Sequence, residues 1–238
     1  MKIAVMQPYI LPYIGYYQLI KSVDVFVVYD NIKYTKKGWI NRNRFLLSGR
    51  DEIFSLPLKS ASDSLDICDR YISPDFNSKK IINRFVAVYK NSPQFFKIIP
   101  VIERILNFEE RNLFAYILFS LKEICNFLQI TTPIVVSSSL DVDHSLKGQD
   151  RVLEICRYLN ADTYINSIGG HDLYSREVFF GHGVDLKFLR PKFFDYQQFG
   201  GCFVPWLSVL DVMMFNSQLK ISEDLIFRYD LVENENVL

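Results

Sequence analysis

The first thirty residues constrain the fold of this chain more than any other stretch. Ile3–Met6 is a short apolar run that stops at Gln7-Pro8. Pro8 and Pro12 each lack an amide donor and fix φ, so no strand or helix continues through residues 7–12 and the chain turns there. Beyond Pro12, the apolar residues Ile14, Tyr17, Leu19 and Ile20 recur at helical spacing, with the proline in the first turn, where a missing N–H costs nothing. Val25–Tyr29 is an uninterrupted apolar run, the pattern of a strand buried on both faces. Strand, short helix and buried strand form a βαβ unit, which implies a parallel sheet. In such sheets ligands bind beyond the carboxyl ends of the strands. The loop from Gln7 to Pro12 and the segment after Asp30 are both expected at that end.

The segment after Asp30 concentrates charge. Residues 31–50 contain six cations, Lys33, Lys36, Lys37, Arg42, Arg44 and Arg50, and no Asp or Glu, while the whole chain balances 27 basic against 27 acidic residues. Trp39, Asn41 and Asn43 are interleaved with them. Guanidinium forks, an indole face and amides together suit a ligand with phosphates and a flat ring or a sugar. The same stretch also reads as a solvated basic hairpin with Trp39 capping the core, and the two readings stay open here. Overall neutrality argues against an obligate nucleic-acid binder, which would carry a basic excess over a whole face.

The 238 residues suffice for one α/β domain, and no Pro/Gly/Ser-rich linker divides them. The expected fold is Rossmann-like with a mainly parallel sheet. Helical patterns from about residue 74 to 128 fill the longest gap between strands and read as a helical insertion, with Ser73-Pro74 as its start. No uncharged run approaches the length of a membrane span, and no signal-peptide pattern precedes the first strand, so a cytoplasmic location is expected. Cys68, Cys125, Cys156 and Cys202 show no CxxC spacing, and no metal-ligand cluster is expected.

Further strand ends supply candidate binding groups. Ser137 and Ser138 follow Ile134–Val136, Asn166 ends a strand at 163–166, and the pair Gly169-Gly170 follows it. The paired glycines permit positive φ or a close approach to the backbone. Lys147 and Arg151 stand at the start of a helix, where a cation is unfavourable against the dipole unless an acid or an anionic ligand accompanies it. His171 is a candidate acid or base, or a surface residue. Asp211 lies inside the apolar pattern that begins at Pro205, and is either a buried carboxylate paired with a basic residue, which its apolar neighbours favour, or a solvent-facing one. The acidic tail from Ser222 reads as peripheral.

MQPYILPYIGYYQLI, DVFVVYDNIKYTKKGWINRNR, LKGQDRVLEICRYL, YINSIGGHDLY and PWLSVLDVMMFN together resemble the WbqC-like family of bacterial proteins, over nearly the whole chain. That resemblance implies a place in O-antigen or related surface-polysaccharide biosynthesis, and transfer of glycine or another small acyl group to the amine of a nucleotide-linked amino sugar. Tyr13-Ile14-Gly15-Tyr16 also occupies the position where HxGH-type nucleotidyl transferases carry their ATP motif, with tyrosines for both histidines. An adenylate-forming ligase using ATP with Mg2+ is thus a second implied reading, and a non-catalytic sugar-nucleotide-binding partner a third. Under the first reading Arg42 and Arg44 hold phosphates, while Gln7, Asn41 and Asn43 position polar groups. Asp211, His171 and Lys37 are the candidate catalytic residues. Nucleic acid enters only if an aminoacyl-tRNA is the donor.

Overall fold

The computed structural model describes residues 1–233. β1 (Lys2–Met6), α1 (Ile14–Lys21) and β2 (Val25–Val28) form the expected unit, and β1 and β2 pair in parallel with Ile3 opposite Val25. A two-stranded hairpin follows, β3 (Arg42–Leu47) and β4 (Arg50–Ser55). Three helices come next: α2 (Ser78–Tyr89), α3 (Phe95–Leu106) and α4 (Leu113–Phe127). The chain then alternates through β5 (Ile134–Val136), α5 (Gly148–Tyr158), β6 (Thr163–Ser167), α6 (Arg176–Gly181) and β7 (Asp185–Pro191). The last elements among the described residues are α7 (Val209–Phe215), α8 (Gln218–Glu223) and β8 (Tyr229–Val232).

The main sheet runs β5-β2-β1-β6-β7-β8, parallel throughout except for β8, which is antiparallel to β7. The fold is therefore α/β and Rossmann-like. Because strand side chains alternate, a strand apolar at every position feeds two cores. Ile3, Val5 and Val27 join Val152, Ile155 and Phe179 on the face of α5 and α6. Ala4, Phe26 and Val28 join α1, the three-helix layer and α7 on the other. Within α1, Ile14, Tyr17, Leu19 and Ile20 are fully buried. Truncating one such side chain to alanine costs about 2–5 kcal/mol, so α1 is anchored firmly against the sheet.

Local chemistry explains several departures from expectation. The basic segment contains a hairpin strand, Arg42–Leu47, that turns at Ser48-Gly49, where φ values of 51° and 73° build the two-residue turn that matches strand twist. The helical layer begins at Ser78 instead of Pro74, because the Asn77 side chain accepts the Lys80 amide at 3.2 Å and caps it. The segment from Ser222 is not peripheral. Leu225 and Ile226 are buried, the fully buried Gln18 of α1 donates to the carbonyls of Leu225 (2.8 Å) and Arg228 (3.2 Å), and β8 completes the sheet.

Candidate functional site

A crevice of about 470 Å³ opens at the carboxyl ends of β1, β6 and β7. This is the point where strand order reverses: β2 and β5 lie on one side of β1, and β6 and β7 on the other. Loops diverge at such a point and leave space for a ligand. Met6, Ile168 and Leu189 lie at its base, the start of α1 supplies Pro12, Tyr13, Gly15 and Tyr16, and Trp39, Arg44 and Trp206 face them. The Tyr13 side chain makes no cap, and no acid stands in the first turn of α1, so the positive end of this helix borders the space.

The loop after β1 is held in shape by the hairpin. Asn43 is buried and donates to the carbonyls of Ile10 at 3.1 Å and Leu11 at 2.9 Å. Ser208, fully buried ahead of α7, donates its hydroxyl to the same Leu11 carbonyl at 2.7 Å. These bonds fix Leu11 at φ 41°, a left-handed conformation that costs free energy in a bulky residue and survives only where its surroundings enforce it. Trp206, on the opposite rim, also has positive φ, 60°. Its ring packs on Tyr13 with centroids 5.3 Å apart.

Arg44 ties the rim together. It donates to the Trp206 carbonyl at 3.0 Å, lies over the Trp39 ring at 5.3 Å and meets Asp51 at 3.4 Å. A second cation at the crevice is Arg190, at the end of β7. Burial pushes the Tyr13 phenol up to about 12 and that of Tyr16 well above its usual range, so both stay protonated donors near neutral pH. Tyr16 spends its hydroxyl on the Gln7 carbonyl at 2.9 Å. Among the described residues lining the crevice there is no Asp, Glu, His, Lys or Cys. The arrangement offers aromatic faces, two guanidinium groups and a helix N-terminus, a combination suited to a flat ring carrying anionic groups.

Residues 7–223 match the model of the WbqC-like protein family. The chain belongs to that family. It is also 27% identical over 218 residues to Rv1507c, an uncharacterized protein of Mycobacterium tuberculosis, a match covering 90% of this chain and 93% of that protein. No solved structure matches it.

The WbqC-like chain brings some of the expected site residues together and separates others. Tyr13, Gly15, Tyr16, Trp39, Asn43 and Arg44 all line the crevice. Arg42 lies over Trp39 at 5.5 Å, but its guanidinium closes the adjoining turn by donating to the carbonyls of Lys37 (2.6 Å) and Gly38 (3.0 Å). The Lys37 side chain is exposed outside the lining. Asn41 accepts from the Tyr34 hydroxyl and donates to the Leu56 carbonyl, both at 2.8 Å, which stitches the base of the hairpin.

A second group of expected residues lies elsewhere. Buried Asp30 accepts from the amide and hydroxyl of Ser138 at 2.9 and 2.6 Å, beside buried Ser137, and Arg151 is buried in α5 behind exposed Lys147. Gly169 has open space where a Cβ would stand, but a Cβ on Gly170 would come 2.6 Å from Asn166 Nδ2. Neither glycine has positive φ, so the reason for Gly170 is close approach to buried Asn166 alone. His171 pairs with exposed Asp172 at 2.9 Å, outside the lining.

Asp211 is fully buried, as expected of its apolar helix, but its partners are not basic. It accepts from the hydroxyls of Tyr89 (2.9 Å) and Tyr196 (2.6 Å) and from the Gln198 amide (2.8 Å). Neutral donors replace the expected cation because α7 packs against aromatic residues of α2 and of the 192–207 loop. Burial raises its carboxyl above the usual range, and the three hydrogen bonds draw it part of the way back.

Arg190, Pro191 and Trp206 complete the lining although sequence reasoning missed them. A signal existed for the first two, which directly follow the apolar run of β7 at its carboxyl end. Trp206 gave none, since its role depends on a backbone conformation that an L residue seldom adopts.

Proposed function

We propose that this crevice binds a nucleotide-linked amino sugar and that the chain transfers glycine or another small acyl group to the sugar's amine, in surface-polysaccharide biosynthesis. The observation that carries the reading is the pairing of aromatic walls with Arg44 and Arg190 at the point of strand reversal. A nucleobase stacks on Trp39 or Trp206, the phosphates meet the guanidinium groups and the start of α1, and the sugar reaches the open side. In the reaction the amine nitrogen attacks the acyl carbonyl, the bond to the donor's leaving group breaks, and one proton is released.

A specific observation favours a non-catalytic sugar-nucleotide partner as the second reading: among the described residues, the crevice lining holds no carboxylate, imidazole, amine or thiol. Under the transferase reading that proton therefore leaves through solvent or the departing group. The test is turnover of a nucleotide-linked amino sugar with three donor types: a glycyl thioester, a glycyl-tRNA, and free glycine with ATP and Mg2+. A new amide product with any one of them supports the transferase; binding without product under all three supports the partner role.

A further inference from the structure

We infer that the chain carries a second oxyanion site, apart from the crevice, at the carboxyl ends of β2 and β5, where Arg151 and Asn31 converge on the position now taken by His144. Arg151 is the fourth residue of α5 and only 1% exposed. A buried guanidinium charge is costly unless it is paired and its donors are satisfied. One terminal nitrogen donates to the Asp143 carbonyl at 2.5 Å and the other to His144 Nδ1. Nε has no partner, and no carboxylate among the described residues stands in ion-pair range of Arg151. Of the neighbouring acids, Asp30 accepts from Ser138, Asp143 accepts from the amide and hydroxyl of Ser145 at 2.8 and 2.7 Å and acts on Arg151 only through space, and Asp150 is exposed in the first turn of α5.

The donor pattern around His144 identifies what fits. Its Nε2 lies 3.1 Å from the Leu140 carbonyl, which accepts, so Nε2 carries the proton and Nδ1 presents one lone pair. Onto that single lone pair come both Arg151 and the Asn31 amide, the latter at 2.9 Å. One imidazole nitrogen cannot satisfy two donors well, whereas oxyanion oxygens each accept several bonds. Fully buried Ser137 has a hydroxyl without a partner in the same region. α5 starts at Gly148 with Asp150 in its first turn, which offsets the helix's positive end, so the site rests on the side-chain donors and not on the helix dipole. His144 is exposed and lies over buried Arg151. The site takes the oxyanion of a small molecule, a carboxylate or a phosphate, once His144 swings outward.

The experiment follows Arg Nε–H and His ring signals by NMR while inorganic phosphate, and separately acetate, is titrated. It uses the Arg44→Ala variant, which weakens anion binding in the crevice, and it reads the signals of Arg151 and His144 themselves, so that a failure of the proposed function is distinguishable from a failure here. Saturable movement of the Arg151 Nε–H and His144 signals with either anion is expected, and the anion that acts tells phosphate from carboxylate chemistry. His144→Ala should bind that anion about tenfold more tightly, because a competing internal acceptor is gone, and Asn31→Ala should bind it more weakly. Absence of saturable movement with both anions overturns the proposal, and so does unchanged or weaker binding in His144→Ala, which is exposed and should keep its fold.

Discussion

Asn43 holds Leu11 by a 2.9 Å bond to its carbonyl, and so links the hairpin to the loop that forms one wall of the crevice. Asn43→Ala leaves the carbonyls of Ile10 and Leu11 without this donor inside a buried region, at a cost of about 1–3 kcal/mol. Asn43→Asp should be worse, since a carboxylate would face two carbonyl oxygens. Urea denaturation of both variants checks the order; equal stability of wild type and Asn43→Asp would show that the clamp contributes nothing.

Gly15 lines the crevice in the first turn of α1. Alanine there favours a helix by about 1 kcal/mol, yet its Cβ would stand 2.9 Å from Pro191 Cγ and 3.2 Å from the Tyr13 ring. Gly15→Ala should therefore remain folded while pushing Pro191 and Tyr13 and narrowing the space for ligand. Retained thermal stability with weakened ligand binding is the expected pair of results. Unchanged affinity would place the ligand away from α1.

Asp211 sets a pH dependence of known sign. Its folded pKa is raised by burial, so the native state holds a proton over a range where the unfolded chain has lost it. Stability from this group is fully present below the unfolded value, near about pH 4, and is lost as pH rises through the raised folded value. Asp211→Asn cannot titrate, and turns an amide donor toward a site where three donors already point. Urea midpoints compared at about pH 4 and about pH 7 should show wild type losing stability relative to Asp211→Asn as pH rises. A difference independent of pH would contradict this.

How much of this was legible in the sequence follows from the range of the interactions involved. The β1–α1–β2 unit was readable because strands apolar at every position and prolines at fixed places act locally, and the crevice lies at the end of the sheet that this unit implies. The roles of Asn43 and Arg42 were not readable. Both are polar residues in a basic stretch, and only the hairpin register shows that one clamps a distant loop while the other closes its own turn. Asp211 was legible as buried, but its partners Tyr89 and Gln198 come from separate segments and resemble ordinary core and loop residues. The tail was misjudged because Leu225 and Ile226 are short apolar signals among acids, and their burial depends on α1.

The two arginines of the basic segment should separate in function. Arg44 lines the crevice, and removing a hydrogen-bonded cation from an anionic ligand costs about 1.5–3 kcal/mol, or roughly tenfold to more than a hundredfold in affinity. Arg42 is occupied with the carbonyls of Lys37 and Gly38, so Arg42→Ala should loosen the turn and lower affinity less. Calorimetric titration of both variants with the same nucleotide sugar checks the ranking. The reverse ranking would move the phosphates to the outer face of Trp39.

The most direct test of the central claim is a calorimetric titration of wild type and Trp206→Ala with a nucleotide-linked amino sugar, alongside its nucleoside diphosphate and the free amino sugar. One-site binding of the nucleotide sugar, partly retained by the nucleoside diphosphate, absent for the free sugar and weakened in Trp206→Ala, is the result this account predicts. Binding of the free sugar as tightly as the nucleotide sugar, or affinity indifferent to Trp206, would contradict it.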